Sequence, residues 1–150
     1  MFKILWYSPY AGVQKSQEIR DAQNRQIFLA PAYFYIKTAY ELLNSDGAEI
    51  CWSIPVLDFI SDNELIERCE NVSLICLSIY PWNKFELSRS LKMLHSSGNL
   101  SGKKVLVGGP GAEEFFAENR ELIDYACYGD GEQGFIDIID DITGKAQLNA

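Results

Sequence analysis

The run Val72 to Tyr80 (VSLICLSIY) carries almost no polar surface. A strand with one wet face alternates apolar and polar residues. A run that is apolar throughout reads as a strand buried on both faces, which requires a parallel sheet covered by helices on each side. The rest of the chain repeats the theme. Lys3–Tyr7 (KILWY) is a first strand, stopped by Ser8-Pro9, and Ala48–Ile54 (AEICWSI) is a second, ended near Pro55. Lys104–Val107 and Asp124–Tyr128 supply the fourth and fifth. Between them lie stretches with helical spacing. Pro31–Ser45 places Ala32, Tyr35, Ile36, Ala39, Tyr40, Leu42 and Leu43 at that spacing, with Pro31 at a first helical position and Asp46-Gly47 as a stop. Asn63–Glu70 is a short helix capped by Ser61 or Asp62. Asn83–Ser96 turns Phe85, Leu87, Leu91 and Leu94 inward, and Glu113–Arg120 and Phe135–Ile142 complete the set.

Strand–helix alternation of this kind predicts an α/β fold with helices on both faces of a five-stranded parallel sheet. Right-handed crossovers leave few topologies, and the flavodoxin-like order 2-1-3-4-5 is the expected one. The 150 residues make one domain, 1–150, with 143–150 as a stub leading onward. Ligands in such sheets bind beyond the carboxyl ends of the strands, where strands 1 and 3 part company. That rule selects the loops after Tyr7, Ile79, Val107 and Tyr128. The connection 8–30 is far longer than the ~2–6 residues usual for a βα loop. It reads equally as a surface insertion or as a docking loop over the ligand edge.

Composition removes several functions. A net charge of -8 opposes a nucleic-acid partner. No apolar run approaches the ~20 residues of a membrane helix, and the first residues do not read as a signal peptide. The expectation is a cytoplasmic protein with no membrane partner. Cys51, Cys69, Cys76 and Cys127 show no CxxC spacing, so a zinc or iron–sulfur site held by this chain is not expected. All four read as reduced and mostly buried. The one histidine, His95, falls in a helical pattern away from the strand ends and reads as a surface or half-buried residue.

The strand-end loops hold the distinctive chemistry. After strand 3 come Ser78, Tyr80, Pro81, Trp82 and Asn83. Asn83 suits a helix cap, while Tyr80 and Trp82 offer a flat apolar wall with polar tips. After strand 4, Gly108-Gly109-Pro110-Gly111 reads either as a tight turn or as a backbone platform that a ligand approaches closely. After strand 5, Gly129, Gly131 and Gly134 satisfy GxGxxG, but a dinucleotide reading fails on position and on the acidic Asp130 and Glu132. A receiver domain would need acidic residues after strand 1, where LWYSPY stands. A flavodoxin holding FMN would need a Ser/Thr-rich phosphate loop there. A GxSxG nucleophile elbow is missing.

Taken in order, LICLSIYPWN, KKVLVGGPGAEEFF and IDYACYGDGEQGFIDII resemble the cobalamin (B12)-binding domain that precedes the barrel of B12-dependent radical S-adenosylmethionine enzymes. The segment LAPAYFYIKTAYELLNSDGAEI is similar to that family's first helix, so the likeness spans nearly the whole chain. Asp130 stands where the family usually has Glu. The resemblance implies a corrinoid across the strand ends, its nucleotide tail entering between strands 1 and 3. It places Ser8, Pro9, Ser78, Tyr80, Trp82, Asn83, Gly108, Gly109, Pro110, Gly111, Gly129, Asp130, Gly131 and Glu132 at the cofactor. The Asp-x-His-x-x-Gly of the mutase type is absent, since Ser8-Pro9-Tyr10-Ala11-Gly12 has no histidine, so cobalt would carry no protein imidazole. A radical S-adenosylmethionine barrel, in cis or in trans, would be the partner. S-adenosylmethionine and the 4Fe-4S cluster would belong to it, and the parent enzyme would be of methyltransferase type. No catalysis is expected from this chain alone. The competing expectation is a degenerate domain of the same fold that docks a partner protein or peptide without cofactor.

Overall fold

The computed structural model describes residues 1–9, 31–44 and 47–148, so most of the 8–30 connection lies outside the described residues, as do Ser45 and Asp46. Its elements in chain order are β1 (Phe2–Tyr7), α1 (Pro31–Leu43), β2 (Ile50–Trp52), α2 (Asp62–Cys69), β3 (Leu74–Ser78), α3 (Lys84–Ser96), β4 (Lys104–Gly108), α4 (Ala112–Asn119) with a 3-10 turn (Arg120–Leu122), β5 (Tyr125–Ala126) and α5 (Gly131–Ile142). The strands form one sheet in the order β2-β1-β3-β4-β5, and every pairing is parallel. This is the flavodoxin-like α/β arrangement expected from the sequence.

The period-2 alternation of the strands divides the core in two. Leu5 and Tyr7 of β1 and Ile75 and Leu77 of β3 face one layer, built with Leu65 and Cys69 of α2, Leu87, Leu91 and Leu94 of α3, and Phe115 of α4. Ile4 and Trp6, Leu74 and Cys76, and Leu106 of β4 face the other, against Tyr33, Ile36 and Tyr40 of α1 and Phe135, Ile136 and Ile139 of α5. All five residues of β3 are buried, as its uniform apolarity requires. Burying a large apolar side chain contributes about 1.5–3 kcal/mol, so this central strand alone anchors both layers.

Several boundaries differ from the sequence expectation. The second strand is only Ile50–Trp52, because Pro55 ends its pairing; the chain rejoins β1 later through a single bridge between Tyr7 and Val56. The fifth strand shrinks to Tyr125–Ala126 at the sheet edge. The last helix begins at Gly131, four residues before Phe135, so part of the glycine-rich loop is its first turn. Phe85 does not face inward: it is 79% exposed, at the second position of α3, ahead of the buried Leu87–Leu91–Leu94 stripe. Cys69 and Cys76 are buried, but Cys51 and Cys127 are only partly so. Ser61 caps α2, accepting a hydrogen bond from the Glu64 amide at 3.2 Å. None of the helices among the described residues is long and apolar enough to cross a membrane.

Candidate functional site

β1 and β3 are neighbours in the sheet, but the helices that pack beyond them lie on opposite faces, α1 on one and α3 on the other. The chain therefore opens a crevice at their carboxyl ends. A cavity of about 350 Å³ lies beside it, on the α1–α5 face of β1, β3 and β4, at the small end of the ~300–1,000 Å³ usual for ligand pockets. Its floor is Trp6, Cys76, Leu106 and Phe135, and Tyr35 and Ile36 of α1 form a side wall. Ser78, Tyr80, Gly108, Gly109 and Pro110 line the turns after β3 and β4. Gly129, Asp130, Gly131 and Glu132 line the entry to α5. Three of the four loops read as functional in sequence, those after β3, β4 and β5, thus meet at one space; the described residues of the turn after β1 do not line it.

Each polar group there has a traceable role. Ser78 continues the face of β3 that carries Cys76, so it meets Trp6 across the sheet. The Trp6 indole donates to Ser78 Oγ at 3.1 Å, which leaves the hydroxyl proton available to a ligand acceptor. Asp130 occupies the cap position of α5 without making a side-chain cap, and Glu132 lies in the first turn. Both carboxylates sit at the positive end of the helix, where negative charge is favoured. Among the described residues lining the cavity, these two alone carry charge. Cys76 and Cys127 line it as thiols: burial pushes both above their ordinary range, and for Cys127 the nearby Glu132 and Asp137 carboxylates push the same way. Neither offers a thiolate near neutral pH.

Around the mouth the surface is aromatic. Tyr80 and Trp82 stack with ring centroids 4.7 Å apart and planes 7° from parallel. Trp82 is 50% exposed, and Tyr35 and Tyr128 are exposed nearby on the same carboxyl edge. Trp82 does not line the cavity itself; it backs the Tyr80 ring that does.

Other sequence candidates sit behind the wall. Ser8 and Pro9 are buried; the Ser8 amide donates to Val56 O at 3.0 Å, and Pro9 O accepts from Asn83 Nδ2 at 3.1 Å. Asn83 is fully buried, and although it holds the cap position of α3 its side chain makes no cap bond. The glycines after β4 have different reasons. A Cβ on Gly109, whose φ is +96°, would stand 2.8 Å from Ile79 O, and one on Gly111 would stand 3.0 Å from Ile79 Cγ2. Gly109 is required by the turn after β3, whereas at Gly111 the Ile79 side chain would have to give by a few tenths of an ångström. Gly108 is not required: its Cβ would make only an ordinary 3.7 Å contact with Cys127 O. Glycine there leaves the cavity wall open.

Sequence reasoning passed over Trp6, Tyr35, Ile36, Cys76, Leu106 and Phe135, because each looks like an ordinary core residue. The one usable signal was the pairing of Trp6 and Ser78 at the ends of adjacent strands. His95 lies in the last turn of α3, exposed and at the opposite edge of the sheet, beside Lys103 and Asp124. Among the described residues no cluster of His, Cys, Asp and Glu is arranged to hold a metal ion. Compared with known proteins, the chain matches no family profile and no curated protein at a significant level.

Proposed function

We propose that this domain binds a corrinoid and belongs with the cobalamin-binding modules of B12-dependent radical S-adenosylmethionine enzymes of methyltransferase type. The observation that carries the reading is the cavity beside the β1–β3 crevice, closed below by apolar side chains and ringed above by aromatic ones. A space of about 350 Å³ is far too small for a whole corrinoid but suits its flat nucleotide tail. The macrocycle would then rest across Tyr80, Pro110 and Tyr35 at the rim. The Ser78 proton supports the tail, the bare Cα of Gly108 gives it room, and Asp130 and Glu132 accept from amide arms.

Asp130 and Glu132 repel the phosphate dianion of a flavin mononucleotide more strongly than the single negative charge of the phosphodiester in a corrinoid tail. No imidazole of this chain reaches the site, because its single histidine is at the far edge, so the cobalt would lack a histidine ligand from below. When bound, a corrinoid supplies a methyl group on cobalt for transfer. The residues of this chain bind it, orient it and keep water from its tail. Turnover, S-adenosylmethionine and the iron–sulfur cluster belong to a partner barrel in cis or in trans.

A second reading, a cofactor-free docking domain, draws on the same exposed edge, where Ile54, Trp82 and Phe85 are at least half exposed. One experiment separates them. Purified protein is mixed with hydroxocobalamin under reducing conditions and passed over a desalting column. Retained colour that is lost in Tyr80→Ala supports corrinoid binding; no retention at tens of micromolar leaves the docking reading.

A further inference from the structure

Beyond Tyr7 and Leu77, the last paired residues of β1 and β3, no ladder joins these strands. The two turns that frame the crevice diverge there, and their spacing must be set by something else. Asn83 is placed to set it. Its Nδ2 donates to Pro9 O at 3.1 Å, on the turn after β1, and to Ser78 O at 3.0 Å, at the end of β3. Its Oδ1 accepts from the Tyr80 amide at 2.9 Å. The residue is fully buried, so these bonds form where water offers no substitute.

The turn after β1 is held from the other side as well, since the Ser8 amide donates to Val56 O at 3.0 Å and draws that residue toward β2. Val56 and Asn83 thus grip the same dipeptide from opposite sides. The third bond fixes the backbone at Tyr80, whose ring both lines the cavity and carries the Trp82 stack. We infer that Asn83 is a positioning residue: without touching a ligand, its amide sets the width of the β1–β3 crevice and the angle of the Tyr80–Trp82 platform.

The chemistry demands an amide. Two carbonyls need two donors and one N–H needs an acceptor, which asparagine alone provides at this length. Aspartate has the same shape but would turn a buried carboxylate toward two carbonyl oxygens. A residue kept only for its volume would tolerate that exchange; a positioning amide does not.

The consequence for affinity rests on the corrinoid reading, so the test includes measurements that do not depend on it. In the wild-type protein, the Tyr80 amide should exchange with deuterium at least ~100-fold more slowly than an unstructured amide, although it lies in a turn at the rim. The near-ultraviolet circular dichroism that Trp82→Phe removes from the wild type isolates the Tyr80–Trp82 pair from the core aromatics. In both Asn83→Ala and Asn83→Asp that difference signal should be lost while the rest of the near-ultraviolet spectrum and the far-ultraviolet spectrum are kept. The Kd for hydroxocobalamin should rise roughly tenfold or more in each, the ordinary cost of an unmade buried hydrogen bond. Free exchange of the Tyr80 amide in the wild type overturns the inference even if no variant folds. So does a folded Asn83→Asp with the wild-type aromatic signal, or with the wild-type Kd. If the wild type retains no hydroxocobalamin, the corrinoid reading fails, and the exchange and aromatic measurements alone decide the role of Asn83.

Discussion

Two adjacent glycines should respond to the same substitution in opposite ways. At Gly109 an alanine must adopt φ near +96°, a left-handed conformation that costs an L-residue roughly 1–2 kcal/mol. Its Cβ would also stand 2.8 Å from Ile79 O, so the turn must shift. That carbonyl accepts from the Gly111 amide at 3.1 Å, and the Ile79 amide donates to Gly108 O at 2.7 Å. Weakening both bonds adds about 1 kcal/mol each. Gly109→Ala should therefore lose about 3 kcal/mol, a large share of the ~5–15 kcal/mol by which domains are stable. At about 2–4 °C per kcal/mol for this size, Tm should fall by roughly 6–12 °C. Gly108→Ala meets nothing closer than 3.7 Å among the described residues. It should be neutral or stabilise by up to ~1 kcal/mol, since alanine restricts the unfolded chain. Its methyl group intrudes on the cavity wall, however, and should weaken hydroxocobalamin binding roughly tenfold, as overpacking does. Urea denaturation followed by tryptophan fluorescence reads the first effect and column retention the second. Equal losses of stability in the two variants would refute the assignment of Gly109 to the fold and Gly108 to the cavity.

Three further outcomes are expected. Phe135→Ala should cost about 3–5 kcal/mol in urea denaturation, because this buried ring stacks on Trp52 at 5.5 Å, meets Tyr40 edge-on and floors the cavity; a loss under ~1.5 kcal/mol would contradict its place in the core. Burial raises the Cys69 thiol from 9.0 to about 11 in the folded state, so the unfolded chain ionises first; this group's contribution should be intact below pH 9 and be lost between about pH 9 and 11, by up to ~1.4 kcal/mol per pH unit, so the alkaline fall should be shallower by that share in Cys69→Ala, where Cys76 and Cys127, raised the same way, still act. Cys127, whose thiol is likewise held up by burial and by Glu132 and Asp137, should alkylate more slowly at pH 7.5 than a free cysteine and more slowly still with hydroxocobalamin present, as read by site-resolved mass spectrometry.

The fold was legible because its signals are local. VSLICLSIY has no wet face, and KILWY and KVLV repeat the pattern at intervals filled by helical spacing, so sheet type and strand order followed from general rules. What escaped depended on context. Gly131-Glu132 reads as loop because glycine masks a first helical turn, and Phe85, two residues before Leu87 and so about 200° around α3 from it, reads as inward by its apolarity rather than its spacing. In the site, sequence picked out the loops and missed the floor. Phe135, Ile36 and Leu106 pack in the core on one side and face the cavity on the other, and no periodicity distinguishes such residues from fully enclosed ones. Gly109 and Gly111 were recognisable as special, but the partner that crowds them, Ile79, is some thirty residues away and nothing in the local pattern points to it. Asn83 was visible as a helix cap and, through the resemblance, as a cofactor residue, but not as a bridge; its three partners come from two separate turns.

The cavity is walled by α1 and α5, the first and last helices of the described chain, which pack so closely that a Cβ on Gly131 would stand 3.0 Å from Ile36 Cδ1. No assembly lacking either helix can enclose it. A guest admitted there consequently lends its affinity only to states in which α1 and α5 are both docked on the sheet, about 2.7 kcal/mol at a hundredfold excess over Kd. Removing α5 should abolish recognition even where the sheet survives, so capture of a ligand doubles as a register of the docking of these two helices.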